Sequence, residues 1–319
     1  MSSRGPNLSE YQQALGVPPG MGHLTEEHRH LWEELFRRHP AMMVFPEERE
    51  WALAIKQAAA EDPELLPLSD LEYYQYAVVT QGNVAKSLQR MRGMQLFRQE
   101  YGINDTIEQA NELIHALLVQ QPGLLLSVDK AKTSPQQQGQ MATIDAAQRM
   151  LADLQSHYLM VFDFAKINPK NVRLPKDKRD LLGALYYLHQ STQISPRSIR
   201  NGILFIAECD GMSFENVSLD FVGPIWRELK LHYPVILKEI SWLRAATAAT
   251  VMYGLCKHFL PQEVQNKVNL GCEFEAFDGR LDELFLTHRT QEENNLWILQ
   301  RAETNLRERD RTARLLLLA

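Results

Sequence analysis

The chain is short of cysteine, of long apolar runs and of positive charge, and each shortage argues against a class of protein. Its three cysteines, Cys209, Cys256 and Cys272, are scattered and odd in number. They lack the paired spacing of a disulfide framework, and reduced thiols in a cytosolic protein are expected. No run approaches the ~20 apolar residues that span a bilayer, and the first residues, 1–6, carry no apolar core of a secretory signal. The expectation is a soluble, cytoplasmic protein whose membrane contact, if any, is peripheral. A net charge of −6 argues against a nucleic-acid partner, because phosphate recognition needs a basic surface.

Catalytic patterns are missing too. There is no Gly-x-Ser-x-Gly elbow, no phosphate loop and no His-Glu-x-x-His. Cys209 sits between Glu208 and Asp210, whose charges raise a thiol pKa instead of lowering it. Asp163 is one carboxylate between Phe162 and Phe164, as an outward strand position would be. His23, His28 and His30 come without a carboxylate or cysteine pattern, and His28 and His30 face different sides of a helix. No enzyme activity, metal or cofactor is expected.

What is present is apolar material in quantity: 45% of 319 residues, enough for a large core. The first part reads as helices. One spans 25–38 with Leu31, Trp32, Leu35 and Phe36 as its stripe, and another spans 47–61. The box Ser69-x-x-Glu72 opens a third. A fourth covers 83–101 and stops at Gly102, and Asp105 with Glu108 opens a fifth that ends at Pro122-Gly123. These form a helical lobe, 1–126. Residues 127–143, with Pro-Gln-Gln-Gln-Gly-Gln at 135–140, are too polar to bury area and read as a linker or insertion.

Beyond it the periodicity changes. A helix at 176–189 points Leu181, Leu182, Leu185 and Leu188 inward, and residues 196–201 lead back to strand. The run 203–207 is short and rich in branched and aromatic residues, as a buried strand would be, and Glu208-Cys209-Asp210-Gly211 ends it. Val217, Phe221, Ile225 and Leu229 have helical spacing, closed by His232-Tyr233-Pro234, and 235–243 returns to strand. Strand, helix, strand implies neighbouring parallel strands. The uncharged helix at 245–256 must be buried or must cover a cavity. At 291–314 a charged helix carries Leu296, Leu299, Ala302 and Leu306 on one side. It packs on the body, or, through Arg307, Arg309, Arg311 and Arg314, meets a membrane or a protein partner.

The order of Asp210-Gly211-Met212-Ser213, Tyr233-Pro234, Lys257, Phe259-Leu260 and Lys267-Val268 resembles the CRAL-TRIO lipid-binding family, which includes α-tocopherol and retinaldehyde carriers and phosphatidylinositol transfer proteins. Residues 83–88 and 97–103 resemble the helices that precede that domain, and 159–164 with Asn168-Pro169-Lys170 resembles its first strand. The resemblance implies an α/β fold: a helical lobe, then a mixed, mostly parallel sheet flanked by helices over 144–286, then an extra helix at 287–319. It also implies binding and transfer of a hydrophobic small molecule or lipid in a pocket closed by a mobile gate. The floor would be Val161, Ile203, Phe205, Ile236 and Ile240, the walls Phe221 and Ile225, and the cover Met252, Leu255, Phe259, Leu260 and Val264. Lys257 and Lys267 would meet a membrane or an anion. The polar strand positions of the phosphatidylinositol binders fall on Ile203 and Phe205, and their acid falls on Val235. Such a pocket suits a less polar ligand. A second expectation is a protein-interaction or regulatory module that keeps the fold without a ligand.

Overall fold

A computed structural model describes residues 44–126, 158–216, 233–245, 247–259, 262–272 and 290–316. The helix expected at 25–38, the polar stretch 127–143 and the helical spacing at 217–229 lie outside the described residues. The lobe begins with α1 (Pro46–Ala60), which opens on a proline and two glutamates, as a helix N-terminus favours. In α2 (Asp70–Thr80), Ser69 Oγ accepts from the Glu72 N–H, and Glu72 Oε2 accepts from the Ser69 N–H at 3.0 Å, the capping box expected there. Helix α3 (Val84–Tyr101) ends on Gly102 at φ 64, and Ile103 N–H closes the end on Arg98 O at 2.8 Å.

Helix α4 (Ile107–Gln120) is capped by Thr106, not by Asp105. Asp105 lies at φ 57 and is used elsewhere. Its carboxylate accepts from Tyr186 Oη at 2.6 Å and pairs with Arg98 at 3.1 Å, tying the start of α4 to α3 and to α5 (Pro175–Gln190). Leu181, Leu182, Leu185 and Leu188 of α5 are buried as their spacing demands. Residues 196–201, expected to lead straight into strand, form the short helix α6 (Pro196–Asn201), capped by Ser195.

Four strands follow one another in space as in sequence: β1 (Tyr158–Asp163), β2 (Ile203–Glu208), β3 (Leu237–Leu243) and β4 (Val268–Cys272), all parallel. The antiparallel component is a bridge from Leu125 to Phe162 on the edge of β1. Sequential parallel order with right-handed crossovers places the connecting helices on one face. Those described are α5 with α6, then α7 (Thr247–Cys256) and the single turn α8 (Gln262–Gln265).

Pairing assigns the faces. Phe162, Ala207, Trp242 and Leu270 form one row, and Phe205, Ile240 and Val268 the next row on the same face. Val161, Ile206 and Ser241 form a row on the reverse face. Three groups of core side chains result. The lobe core joins α1, α2 and α3 through Ile55, Leu71, Tyr74 and Met91. A central core joins α4, α5 and the last helix, α9 (Gln291–Leu315), to Phe162 and Ile203. A third lies under α7, where Ala248, Ala249 and Met252 meet Ala207, Ile240 and Trp242.

Helix α9 buries Ile298, Ala302 and Leu306, while Leu296 is 55% exposed, so the inward stripe is turned from the one its leucines suggest. Arg309 points inward too, donating to Gln193 O and, at 3.0 Å, to Gln75 Oε1. Arg307 pairs with Glu303 at 2.7 Å and Arg311 lies 4.0 Å from Glu308. The arginines therefore do not form one basic face.

Candidate functional site

The helix-covered face is not uniformly filled. Phe205 stands mid-strand in β2, between β1 and β3, where an aromatic ring should be shut in. Its neighbours Phe162, Ile203, Ala207 and Ile240 are all at or below 5% exposure, yet Phe205 itself is only half-buried. It packs against both the central core and the core under α7, and these remain separate groups. The Phe205 ring stacks on Phe162 at 4.7 Å and approaches Phe164 at 6.2 Å; Phe164 in turn sets its edge on Trp242 at 5.5 Å. Leu237, Val268 and Tyr253 are also half-buried and border the same group. The seam between the two cores is thus lined with apolar side chains that solvent partly reaches.

Helix α7 explains how such a seam can have a cover. Its sequence, Thr247–Cys256, carries no charge. Small residues let it lie close to the sheet: Ala249 is 0% exposed and Ala248 5%. Trp242 and Tyr253 meet edge to face at 5.8 Å. Yet Val251 is 41% and Leu255 47% exposed on its outer side. A helix apolar on both sides at a protein surface is unexplained by core packing alone.

The residues expected to line a pocket are distributed unevenly. Ile240 and Met252 come together, with Phe205 beside them. Ile203 is buried next door in the central core. Val161 does not join them: it pairs with Ile206, and the two-residue period of a strand turns it to the reverse face. Ile236 precedes β3 and packs on the lobe core instead of the floor. Leu255 points outward. Phe221, Ile225 and Leu260 lie outside the described residues, as do the side chains of Phe259 and Val264. The half-buried Leu237, Val268, Tyr253 and Phe164 were not anticipated. Strand β4 had no clear signal, and Leu237 opens β3 two residues later than the apolar run does.

Lys267 has a structural task. Its Nζ donates to Leu237 O at 2.6 Å, and its own carbonyl accepts from the Ile240 N–H at 2.9 Å, so it fixes the start of β4 on β3. The Lys257 carbonyl accepts from Gln265 Nε2 at 2.9 Å, holding α8 against the end of α7.

At the carboxyl end of the sheet the acids are spoken for. Arg244 at φ 47 follows β3 and grips Glu208 through two nitrogens, at 2.8 and 3.1 Å. Asp163 ends β1 half-buried, not solvated, and accepts from the Ala165 N–H at 3.0 Å. Burial raises its pKa, opposed by that hydrogen bond and by Lys166. Cys209 is 0% exposed, and burial, with Glu208 and Asp163 adding, pushes its thiol up to about 12. A neutral buried thiol is a packing group. Among the described residues no group of histidine, cysteine and carboxylates could hold a metal ion.

Residues 150–276 match the model of the CRAL/TRIO domain. A crystal structure of Sfh5 aligns with 80% of this chain and 96% of its own, at 14% identity and a TM-score of 0.48. No curated protein matches the chain. Among the described residues no helix is long and apolar enough to cross a membrane.

Proposed function

We propose that the protein carries a hydrophobic small molecule or lipid in the seam at Phe205, with α7 as its movable cover, and that it delivers this cargo at membranes without catalysis. One observation carries the reading: a half-buried aromatic in the middle of a sheet whose neighbours are dry. Phe205, Leu237, Ile240, Met252 and Val268 offer apolar and ring surface, with the Tyr253 ring beside them, the lining that such ligands need. Enclosing a chain of some sixteen methylenes would gain on the order of 10 kcal/mol at about 0.8 per CH₂, enough to compete with a bilayer. Exposed Val251 and Leu255 suit a cover that meets lipid when it opens.

A phosphoinositol head is a poor fit. Ile203 and Phe205 offer it no hydrogen bond, Val235 supplies no acid, and Lys267 Nζ is engaged by Leu237 O. Sterols, isoprenoids and fatty acyl chains fit better.

Val268 borders the seam on β4 and is half-buried, so Val268→Phe can add bulk there without emptying the core. It should lower uptake of a fluorescent fatty acid about tenfold while leaving the unfolding midpoint within a few degrees. Uptake equal to the parent would count against this placement of the pocket.

The interaction-module reading has one observation in its favour: under α7 the side chains of Ala248, Ala249, Ile240 and Trp242 mesh. It predicts protein that purifies empty and stays so when offered lipid.

A further inference from the structure

The chain is acidic overall, yet one short surface segment is strongly basic. Residues 166–179 hold Lys166, Lys170, Arg173, Lys176, Lys178 and Arg179 against a single acid, Asp177, in a chain of net charge −6. Five of the six cations are exposed, Lys178 being half-buried. Asp177 is occupied as the cap of α5, accepting from the Leu174 N–H at 3.0 Å. Arg179 reaches the buried Asp180 at 3.7 Å, and among the described residues the other five cations make no ion pair. Unpaired like charges this close repel one another, a cost the fold gains nothing from.

Apolar side chains stand among the charges. Leu174, just before α5, is 63% exposed. Phe214, also 63% exposed, sits on a turn bound to the same segment, since Asn216 Nδ2 donates to Ala165 O at 3.0 Å and to Ile167 O at 2.9 Å. Of the acids on the neighbouring turns, Glu208 and Asp210 face Arg244, Asp163 lies near enough to Lys166 for that cation to hold its pKa down, and Glu215 remains.

We propose that this segment, at the carboxyl end of β1, is a docking surface for an anionic bilayer, with the cations meeting headgroups and Leu174 and Phe214 entering the interface. Charge complementarity selects the partner, and exposed leucine and phenylalanine among basic residues select a lipid interface over a soluble anion. The surface is distinct from Lys257 and Lys267. Those lie at the amino end of the sheet, where α7 has run back to start β4 and Lys267 touches Leu237, the first residue of β3. Docking here needs no bound ligand, so the inference does not rest on the carrier reading.

The test is sedimentation of the full chain with phosphatidylcholine vesicles with and without 30% phosphatidylserine. Each cation facing an anionic leaflet adds about fivefold to partitioning. The parent should bind only the anionic vesicles and release as salt rises. Lys166→Gln/Lys170→Gln/Arg173→Gln/Lys176→Gln should lose at least tenfold, whereas Lys257→Gln should lose less than twofold. Leu174→Ser should weaken binding with the salt dependence unchanged. Circular dichroism and the urea midpoint of the fourfold variant should match the parent, showing the fold intact. A parent that ignores phosphatidylserine overturns the proposal and leaves an acidic protein segment as the better partner. Equal losses from the fourfold variant and Lys257→Gln overturn it as well.

Discussion

A buried guanidinium is tolerated only when its donors are filled, and Arg309 meets that condition at the junction of three parts of the fold. It reaches Gln193 O, beyond α5, and Gln75 Oε1 on α2, and Gln75 passes its amide to Pro234 O ahead of β3 at 2.8 Å. Arg309→Met should strand the Gln193 carbonyl and half of Gln75 and cost about 2–4 kcal/mol, read as a lower urea midpoint; an unchanged midpoint would show the contact idle. Nearby titrating groups give a pH dependence of known sign. Burial alone would raise the Glu72 pKa, but Arg98 at 2.9 Å, Arg309 and the Ser69 N–H hold it below its ordinary 4.5. Its contribution is complete above 4.5 and is lost as pH falls through the lowered folded value. Burial lowers His189, opposed by its hydrogen bond to Leu185 O, so acid favours the unfolded chain once pH drops below about 6.5. Stability should therefore fall in two stages on acidification. His189→Phe should remove the upper stage and Glu72→Gln the lower, and a parent equally stable at pH 7 and pH 4 would contradict both.

At the level of elements, local signals were readable and long-range ones were not. Capping chemistry is written in adjacent residues, so the Ser69 box, the Gly102 stop and the leucines of α5 could be read directly. Where tertiary partners decide, reading failed. Asp105 resembles a cap but answers to Tyr186 and Arg98, and Leu296 resembles core while Asn294, nearby on α9, turns inward to donate to Leu125 O at 2.9 Å. A short run of branched and aromatic residues marked 203–207 as a strand, but the choice of face for Val161 depends on its register with Ile206, which no local pattern contains. The half-buried state of Phe205 is a property of the gap between two cores and has no sequence signature at all. Gly202 marks a further constraint of this kind. Its φ is +77, and a Cβ there, between α6 and β2, would collide with the Ile236 carbonyl oxygen. Gly202→Ala should cost about 3 kcal/mol or more, seen as a fall in Tm, and a neutral substitution would mean that the turn can rearrange.

Across the whole molecule, a helical lobe, a parallel sheet and a closing C-terminal helix frame the uncharged helix α7 and the proposed seam beside it. Three segments converge at Arg309, so lobe and sheet are held together while α7 is bound mainly by its own small core. Such a division of stability is what the proposed opening of α7 requires, since the frame need not loosen with it. The most direct test of this account is a native mass spectrum of the full chain after gentle purification. It should show the polypeptide of 36.7 kDa with an added mass that organic extraction removes and identifies as a sterol, isoprenoid or acyl lipid, and that Val268→Phe diminishes. A spectrum of bare polypeptide, unchanged after incubation with a mixed lipid extract, would contradict it.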